Sequence, residues 1–194
     1  MRPALFLDRD GVIVDEAEYL VDPAQLRLIP GSAEAIAEVN RRGVPVIVVT
    51  NQSGVARGYF PESRVAEIHE RLDTLLAGQG GAHITRYYYC PHHPTEGQSA
   101  YRVDCQCRKP RPGMLLEAAR DLSLELHESF LIGDKLSDLE AGASAGCRTI
   151  LARTGYGRAL ADTLEPQGLN LEMIANDLRE AVRFCLPRLL KDVP

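Results

Sequence analysis

The sequence predicts an α/β fold: a Rossmann-like parallel sheet with helices on both faces. Three observations predict it. Short, continuous apolar runs alternate with stretches of helical periodicity, the runs have the length of strands, and polar clusters follow several of them. Continuous rather than alternating apolar runs are typical of parallel strands buried on both faces. Strands that alternate with helices form such sheets through right-handed crossovers.

Each predicted element follows from a local pattern. Strands are expected at residues 4–7, 44–49, 84–89, 130–132 and 148–152. Helical spacing of apolar residues predicts helices at 31–42, 61–76, 113–122 and 136–145, and an amphipathic helix at 173–190. Gly43 ends the first helix, and Pro61 suits the first turn of the second. Residues 90–112 are rich in proline and cysteine and lack an apolar period, so an irregular segment is expected there.

Length and charge limit the classes of function. A chain of 194 residues suits one domain, and we expect a single domain over residues 1–194. Its 22 basic and 27 acidic residues give 22 − 27 = −5, with no basic run, so we expect no nucleic-acid partner. No apolar stretch approaches the roughly 20 residues that span a bilayer, so no membrane association is expected. A cytoplasmic monomer is the expectation.

Two carboxylates at the end of the first predicted strand are the sharpest chemical feature. Asp8 and Asp10 belong to the segment Asp8-Arg9-Asp10-Gly11. A carboxylate is a competent nucleophile for phosphorus, which predicts that Asp8 attacks a phosphoryl group. Asp10 is then placed to protonate the leaving oxygen and later to deprotonate a water. Paired acids beside a phosphate need a cation, and Mg²⁺ prefers such oxygen ligands.

Three further clusters support phosphoryl chemistry. Thr50 and Asn51, at the end of the second strand, open a polar turn that suits phosphate oxygens. Lys109 is placed to neutralise charge in the transition state. Asp134 follows the fourth strand and is the predicted metal ligand of the pair Asp134 and Asp138, whereas the role of Asp138 stays open.

Taken in order, these four clusters resemble the haloacid dehalogenase superfamily of phosphohydrolases. The resemblance implies that Asp8 is the nucleophile, Asp10 the acid and base, and Thr50, Asn51 and Lys109 the phosphate-binding groups. It also implies that Mg²⁺ is held by Asp8, the main-chain carbonyl of Asp10, and Asp134. A non-catalytic binding protein and a polynucleotide 3′-phosphatase are alternatives.

The irregular segment carries a second metal pattern. Cys90 and His92 are followed by Cys105 and Cys107. A closed set of three thiolates and one imidazole suits structural Zn²⁺, which predicts a zinc-binding loop at about residues 90–107 without a catalytic role. His93 is the alternative to His92.

The amino-acid sequences of this loop and of the Asn51-Gln52-Ser53-Gly54 turn resemble those of the D-glycero-D-manno-heptose 1,7-bisphosphate 7-phosphatases. That resemblance implies release of the C7 phosphate of a sugar bisphosphate, in the supply of activated heptose (ADP- or GDP-linked) for surface glycans such as lipopolysaccharide core. The related histidinol-phosphate phosphatases are the alternative. No insertion large enough for a cap domain is present in the sequence. The candidate substrate contacts are Glu16, Tyr19, Gln52, Ser53, Arg108 and Lys135.

Overall fold

A computed structural model describes residues 1–98 and 100–190 and places a parallel sheet at the centre of the protein. Its strands are β1 (Leu5–Leu7), β2 (Val46–Asn51), β3 (Arg86–Cys90), β4 (Phe130–Gly133), β5 (Arg148–Ala152) and β6 (Leu171–Ala175). They are arranged in the order β3-β2-β1-β4-β5-β6, and every neighbouring pair is parallel. The predicted α/β class is therefore confirmed.

Helices cover both faces of the sheet. They are α1 (Ser32–Arg41), α2 (Ser63–Gly78), α3 (Gly113–Leu122), α4 (Leu136–Ala145), α5 (Gly157–Ala161) and α6 (Leu178–Leu189). The side chains of α1, α2 and α6 share one apolar cluster with Leu5 and Leu7 of β1. Helices α3 and α4 share the opposite cluster with Phe6. Alternate residues of β1 therefore enter different cores, as expected for a strand buried on both faces.

The central strand explains why a three-residue element is enough. Leu5, Phe6 and Leu7 have no exposed surface. Complete burial of each such side chain contributes on the order of 2 kcal/mol. Strand β1 is paired on both sides, with β2 and β4, so its main chain is also satisfied. Its position is thereby fixed, and with it the position of the residues that follow it.

The C-terminal prediction needs a correction. Residues 173–190 do not form one helix, because Met173 lies in the edge strand β6 and α6 begins at Leu178. Asp177 caps α6 by accepting a hydrogen bond from the Glu180 N–H at 2.8 Å. The apolar residues 173 and 174 complete a strand, so their spacing was wrongly assigned to the helix. The short helix α5 was also not predicted.

The segment between β3 and α3 contains no helix or strand in its described part, residues 91–98 and 100–112. The only elements described between β2 and this segment are α2 and β3, and a single 3-10 turn (Pro23–Gln25) lies between β1 and α1. The described chain thus has no large cap domain, as predicted. The predicted single domain of residues 1–194 includes Ser99 and residues 191–194, which lie outside the described residues, and stays a prediction.

Within residues 1–98 and 100–190, none of the helices has the length and apolar character needed to cross a bilayer.

Candidate active site

The carboxyl ends of three neighbouring strands bring the predicted catalytic residues together. Strand β1 lies between β2 and β4. Asp8 follows β1, Thr50 and Asn51 end β2, and Asp134 follows β4. Because parallel strands end at the same edge of the sheet, loops after adjacent strands form one crevice there.

Lys109 lies at the centre of this crevice although it comes from the irregular segment. Its Nζ is 3.1 Å from Asp8 Oδ1 and 2.6 Å from Asp138 Oδ1, and it donates to the Val49 carbonyl at 2.7 Å. Only 3% of Lys109 is exposed. Burial alone would lower the pKa of Lys109, but the charges of Asp138 and Asp8 outweigh it and raise the pKa. The lysine is therefore a fixed cation against the predicted nucleophile.

Asp138, whose role the sequence left open, is the second anion beside Lys109. It is fully buried, and its Oδ2 accepts the Lys135 N–H at 3.0 Å at the start of α4. Burial raises the pKa of Asp138, and the charge of Lys109 partly offsets that shift. Its carboxylate therefore both caps a helix and holds the buried ammonium.

The Asp10 carboxylate is held by two side chains. Arg9 donates to it from Nε at 3.1 Å and from Nη2 at 2.9 Å, and Gln52 donates from Nε2 at 2.9 Å. Arg9 is only 1% exposed. The sequence analysis missed this contact of Arg9, although a cation between two carboxylates in Asp8-Arg9-Asp10 was a signal for it.

Asp134 has the properties of a cation ligand. It is completely buried, and its Oδ1 has no hydrogen-bond partner among the described residues. Oxygens of Asp8, Asp134 and Asp138 lie within 4.8 Å of one another. Burial, reinforced by the charge of Asp8, raises the pKa of Asp134 to about 7. A buried set of carboxylate oxygens with an orphaned acceptor fits the hard, oxygen-preferring Mg²⁺.

Two glycines allow two loops to approach the same oxygen of Asp134 closely. Gly11 (φ +82°) and Gly155 (φ +53°) lie so close that a Cβ on either would fall 2.2 Å and 2.1 Å from Asp134 Oδ2. The next residue, Tyr156, donates its N–H to the same oxygen at 2.9 Å. The loop after β5 thus orients the Asp134 carboxylate, a role that the sequence analysis did not assign to it.

The two predicted phosphate-binding residues of β2 have different surroundings. Thr50 Oγ1 accepts the Gln52 side-chain N–H at 2.9 Å. The Asn51 side chain instead makes two hydrogen bonds with the main chain of Lys109, each 3.1 Å long. Gln52, expected to contact substrate, is 7% exposed and links Thr50 to Asp10.

A cleft of about 510 Å³ opens above these groups. Lys135 lies at its wall, 2.9 Å from Glu16 Oε2 and 4.8 Å from the centre of the Tyr156 ring. Burial raises the pKa of Glu16, and Lys135 partly offsets the shift. Asp10, Asn51 and Lys109 also face the cleft, and all six predicted substrate contacts line it: Glu16, Tyr19, Gln52, Ser53, Arg108 and Lys135.

The irregular segment brings the four predicted zinc ligands together. Cys90 Sγ is 3.4 Å from Cys105 Sγ and 3.7 Å from His92 Nδ1, and Cys107 Sγ is 3.1 Å from Cys105 Sγ and 3.5 Å from the same Nδ1. A zinc tetrahedron with Zn–S distances of about 2.3 Å has edges of about 3.5–3.8 Å. The donor set therefore fits Zn²⁺. The alternative ligand, His93, accepts the Glu96 N–H at 3.0 Å through its Nδ1.

Comparison with known proteins gives matches over nearly the whole chain. The family described as haloacid dehalogenase-like hydrolase matches residues 5–73, and the HAD-hydrolase-like family matches residues 106–181. A D-glycero-beta-D-manno-heptose-1,7-bisphosphate 7-phosphatase of Pasteurella multocida is 44% identical over 156 residues, covering 80% of this chain and 84% of its own. One from Photorhabdus laumondii is 41% identical over 192 residues, covering 98% and 96%.

A solved structure agrees with the sequence matches. The D,D-heptose 1,7-bisphosphate phosphatase from B. bronchiseptica, complexed with magnesium and phosphate, superposes with a TM-score of 0.84 at 35% identity. The superposition covers 96% of this chain and 99% of that one. Similarity of both sequence and fold therefore extends across the candidate site.

Proposed function

Because the chain belongs to the haloacid dehalogenase-like hydrolases, and within them to the heptose 1,7-bisphosphate 7-phosphatases, we propose that it hydrolyses the C7 phosphate of D-glycero-D-manno-heptose 1,7-bisphosphate. It is a phosphoric monoester hydrolase. The observation that carries the proposal is the contact of the buried Lys109 ammonium with Asp8, 3.1 Å away, beside a cleft that Lys109 lines together with Arg108 and Lys135.

The first step is attack of the Asp8 carboxylate on the phosphorus of the C7 phosphate. The Arg9 N–H and Lys109 Nζ both contact Oδ1 of Asp8, at 2.8 and 3.1 Å, so we assign the attack to Oδ2. The new O–P bond forms an aspartyl-phosphate as the bond to the sugar oxygen breaks. Protonated Asp10 gives its proton to that leaving oxygen. Thr50 binds a phosphoryl oxygen, and the charge of Lys109 stabilises the phosphoryl group in the transition state.

The second step returns the enzyme to its starting state. Asp10, now ionised, removes a proton from a water molecule, whose oxygen attacks the phosphorus of the aspartyl-phosphate. The bond to Asp8 breaks, inorganic phosphate leaves, and Asp8 is again a free carboxylate. Arg9 and Gln52 hold Asp10 in one orientation through both proton transfers.

Two metals complete the proposal. Phosphatases of this superfamily use Mg²⁺, and the B. bronchiseptica relative carries it. Here Asp8, Asp134 and the main-chain carbonyl of Asp10 would hold Mg²⁺, which neutralises phosphate charge when bound. Cys90, His92, Cys105 and Cys107 would hold a structural Zn²⁺.

Charge at the cleft supports the sugar bisphosphate over histidinol phosphate. The imidazole and amine of histidinol phosphate call for carboxylates, and of the two glutamates at the cleft Glu16 is paired with Lys135 at 2.9 Å, which leaves Glu18. The Arg108 guanidinium, in contrast, suits a second phosphate or sugar hydroxyls. The relatives compared above carry the heptose name as well.

The decisive measurement is phosphate release from the two substrates side by side with Mg²⁺. We expect kcat/KM to favour the heptose bisphosphate by at least about 100-fold, roughly 2.7 kcal/mol of transition-state discrimination. A preference for histidinol phosphate would overturn the substrate and leave the chemistry intact. The pathway, the monomeric state, the cytoplasmic location and the lack of a nucleic-acid partner stay predictions.

A further inference from the structure

We propose that Asn51 acts in the reaction through Lys109, as a positioning residue whose side-chain amide fixes the main chain of Lys109, and not by binding phosphate itself. The inference rests on the proposed phosphatase activity and refines one of its groups.

The two side-chain hydrogen bonds of Asn51 form a reciprocal pair. Its Nδ2 donates to the Lys109 carbonyl at 3.1 Å, and its Oδ1 accepts the Lys109 N–H at 3.1 Å. The amide therefore pairs with Lys109 as a neighbouring strand would, using a donor and an acceptor together. With both ends of the amide committed to protein, a direct phosphate contact would break this pair.

Lys109 needs such a support because no main-chain group of its own segment is described as a hydrogen-bond partner of its N–H or carbonyl. It lies in the part of the chain between β3 and α3 where no ladder or helical hydrogen bonds are described. The next residue, Pro110, has no N–H to contribute. Asn51 satisfies both main-chain polar groups of Lys109, which would otherwise lie beside the site without partners.

Strand β2 also holds the other end of the same lysine. The Lys109 ammonium donates to the carbonyl of Val49 at 2.7 Å, and Val49 is two residues before Asn51. The strand thus holds Lys109 at its main chain and at its Nζ. Asp8 and Asp138 form ion pairs with the same ammonium. If the main-chain contact is lost, the stem of the lysine can shift although the ammonium keeps its acceptors.

A double-mutant cycle tests this inference. With an aryl phosphate and Mg²⁺, we expect Asn51→Ala to lower kcat/KM by about 30-fold, mostly through kcat, because misplacement of a catalytic group by about 1 Å can cost as much as 100-fold. In a Lys109→Met background the same Asn51→Ala change is expected to have less than about a twofold effect, since the group it positions is gone.

The controls separate positioning from other roles. Asn40→Ala is the control, because the Asn40 side chain in α1 also makes a hydrogen bond to the main chain, accepting the His83 N–H at 2.9 Å. This variant should leave kcat/KM unchanged. If Lys109→Met does not fold, Lys109→Gln provides the background, because it removes the ammonium and keeps a polar side chain between its acceptors. An equal loss with and without Lys109 would overturn the inference and point to direct phosphate binding. An inactive wild type would overturn the proposed function, and the inference with it.

Discussion

Four side chains with formal charges meet in a volume that water barely reaches. Asp8, Lys109, Asp134 and Asp138 are each at most 4% exposed. One ammonium and three carboxylates give 1 − 3 = −2 when all are ionised. Buried charge of one sign is costly unless it is paired. The excess equals the charge of one divalent cation, which supports the proposed Mg²⁺.

His69 is a buried side chain away from these four residues, and its protonation opposes folding. It is 7% exposed and stacks on Tyr87, with ring centroids 4.1 Å apart, and its Nε2 has no hydrogen-bond partner among the described residues. Burial, with a smaller effect of the Arg9 charge, lowers the pKa of His69 to about 3. In the unfolded chain the pKa is near the usual 6.5. The unfolded state therefore binds the extra proton as the pH falls below 6.5, and stability is lost.

We expect His69→Phe to remove this acid sensitivity, since phenylalanine keeps the ring stacking and cannot be protonated. Between pH 7 and pH 5 the wild type should lose about 2 kcal/mol of unfolding free energy more than the variant. Urea unfolding at the two pH values measures the difference. His83→Phe, at an exposed histidine, is the matched control. The same pH dependence in His69→Phe and wild type would contradict the prediction.

At the scale of elements, the predicted zinc-binding loop runs directly into Lys109. Cys107 is followed directly by Arg108 and Lys109. Arg108 donates from Nη1 to the His92 carbonyl at 3.1 Å, and Arg111 donates to the Cys105 carbonyl at 2.6 Å. The conformation of the loop therefore influences the positions of Arg108 and Lys109, the cations that face the cleft.

Loss of the zinc should consequently impair catalysis as well as stability. We expect Cys107→Ser to lower the zinc content, the melting temperature and kcat/KM together, with kcat/KM falling by at least about 10-fold. Elemental analysis, thermal unfolding and aryl phosphate turnover measure the three effects. Cys147→Ala, at a buried thiol outside the cluster, should keep its zinc and its activity. Full activity in zinc-free protein would contradict this prediction.

Most elements could be predicted because the apolar runs are uninterrupted and because residues such as Gly43 and Pro61 mark where helices end or begin. Strand β5 and helices α3 and α4 agree with the predicted bounds. The edge strand β6 could not be separated from α6, because Met173 and Ile174 fit either period. Only the capping geometry of Asp177 fixes the boundary, and that depends on where the chain returns to the sheet.

At the scale of the whole molecule, the topology gathers residues that are remote in sequence. The order β2-β1-β4 brings the ends of these three strands to one crevice. Because the described chain adds no cap above this edge, the walls of the cleft are formed mostly by loop residues such as Tyr19 and Arg108. The reacting phosphate therefore remains accessible from solvent.

This openness predicts activity on simple substrates. We expect the wild type to hydrolyse a generic aryl phosphate with Mg²⁺, and Asp8→Asn to lower kcat by at least about 1,000-fold, because the amide is no nucleophile. Colorimetric phenol release measures both rates. Asp162→Asn, at an exposed acid near α5, should behave as the wild type does. Activity retained in Asp8→Asn would exclude the aspartyl-phosphate route.

The sequence allowed prediction of the groups that follow strands and not of the contacts that hold them. Asp8 and Asp134 follow apolar runs, and the four cysteine and histidine residues have recognisable spacing. The pairing of Asn51 with Lys109 joins residues 58 positions apart and depends on the path of an irregular loop. The contact between Arg9 and Asp10 likewise needs the turn that Gly11 makes after β1.

The burial of Lys109 has a consequence for chemical labelling. The chain has lysine at three positions, 109, 135 and 191, against 19 arginines. In the folded protein the buried Lys109 ammonium lies within 3.1 Å of three oxygen atoms, so amine reagents should modify it only after the site opens. Lys135 is 38% exposed at the cleft, and its acylation would remove the charge that faces Glu16. Modification of Lys135 in the native protein therefore reports on the cleft itself.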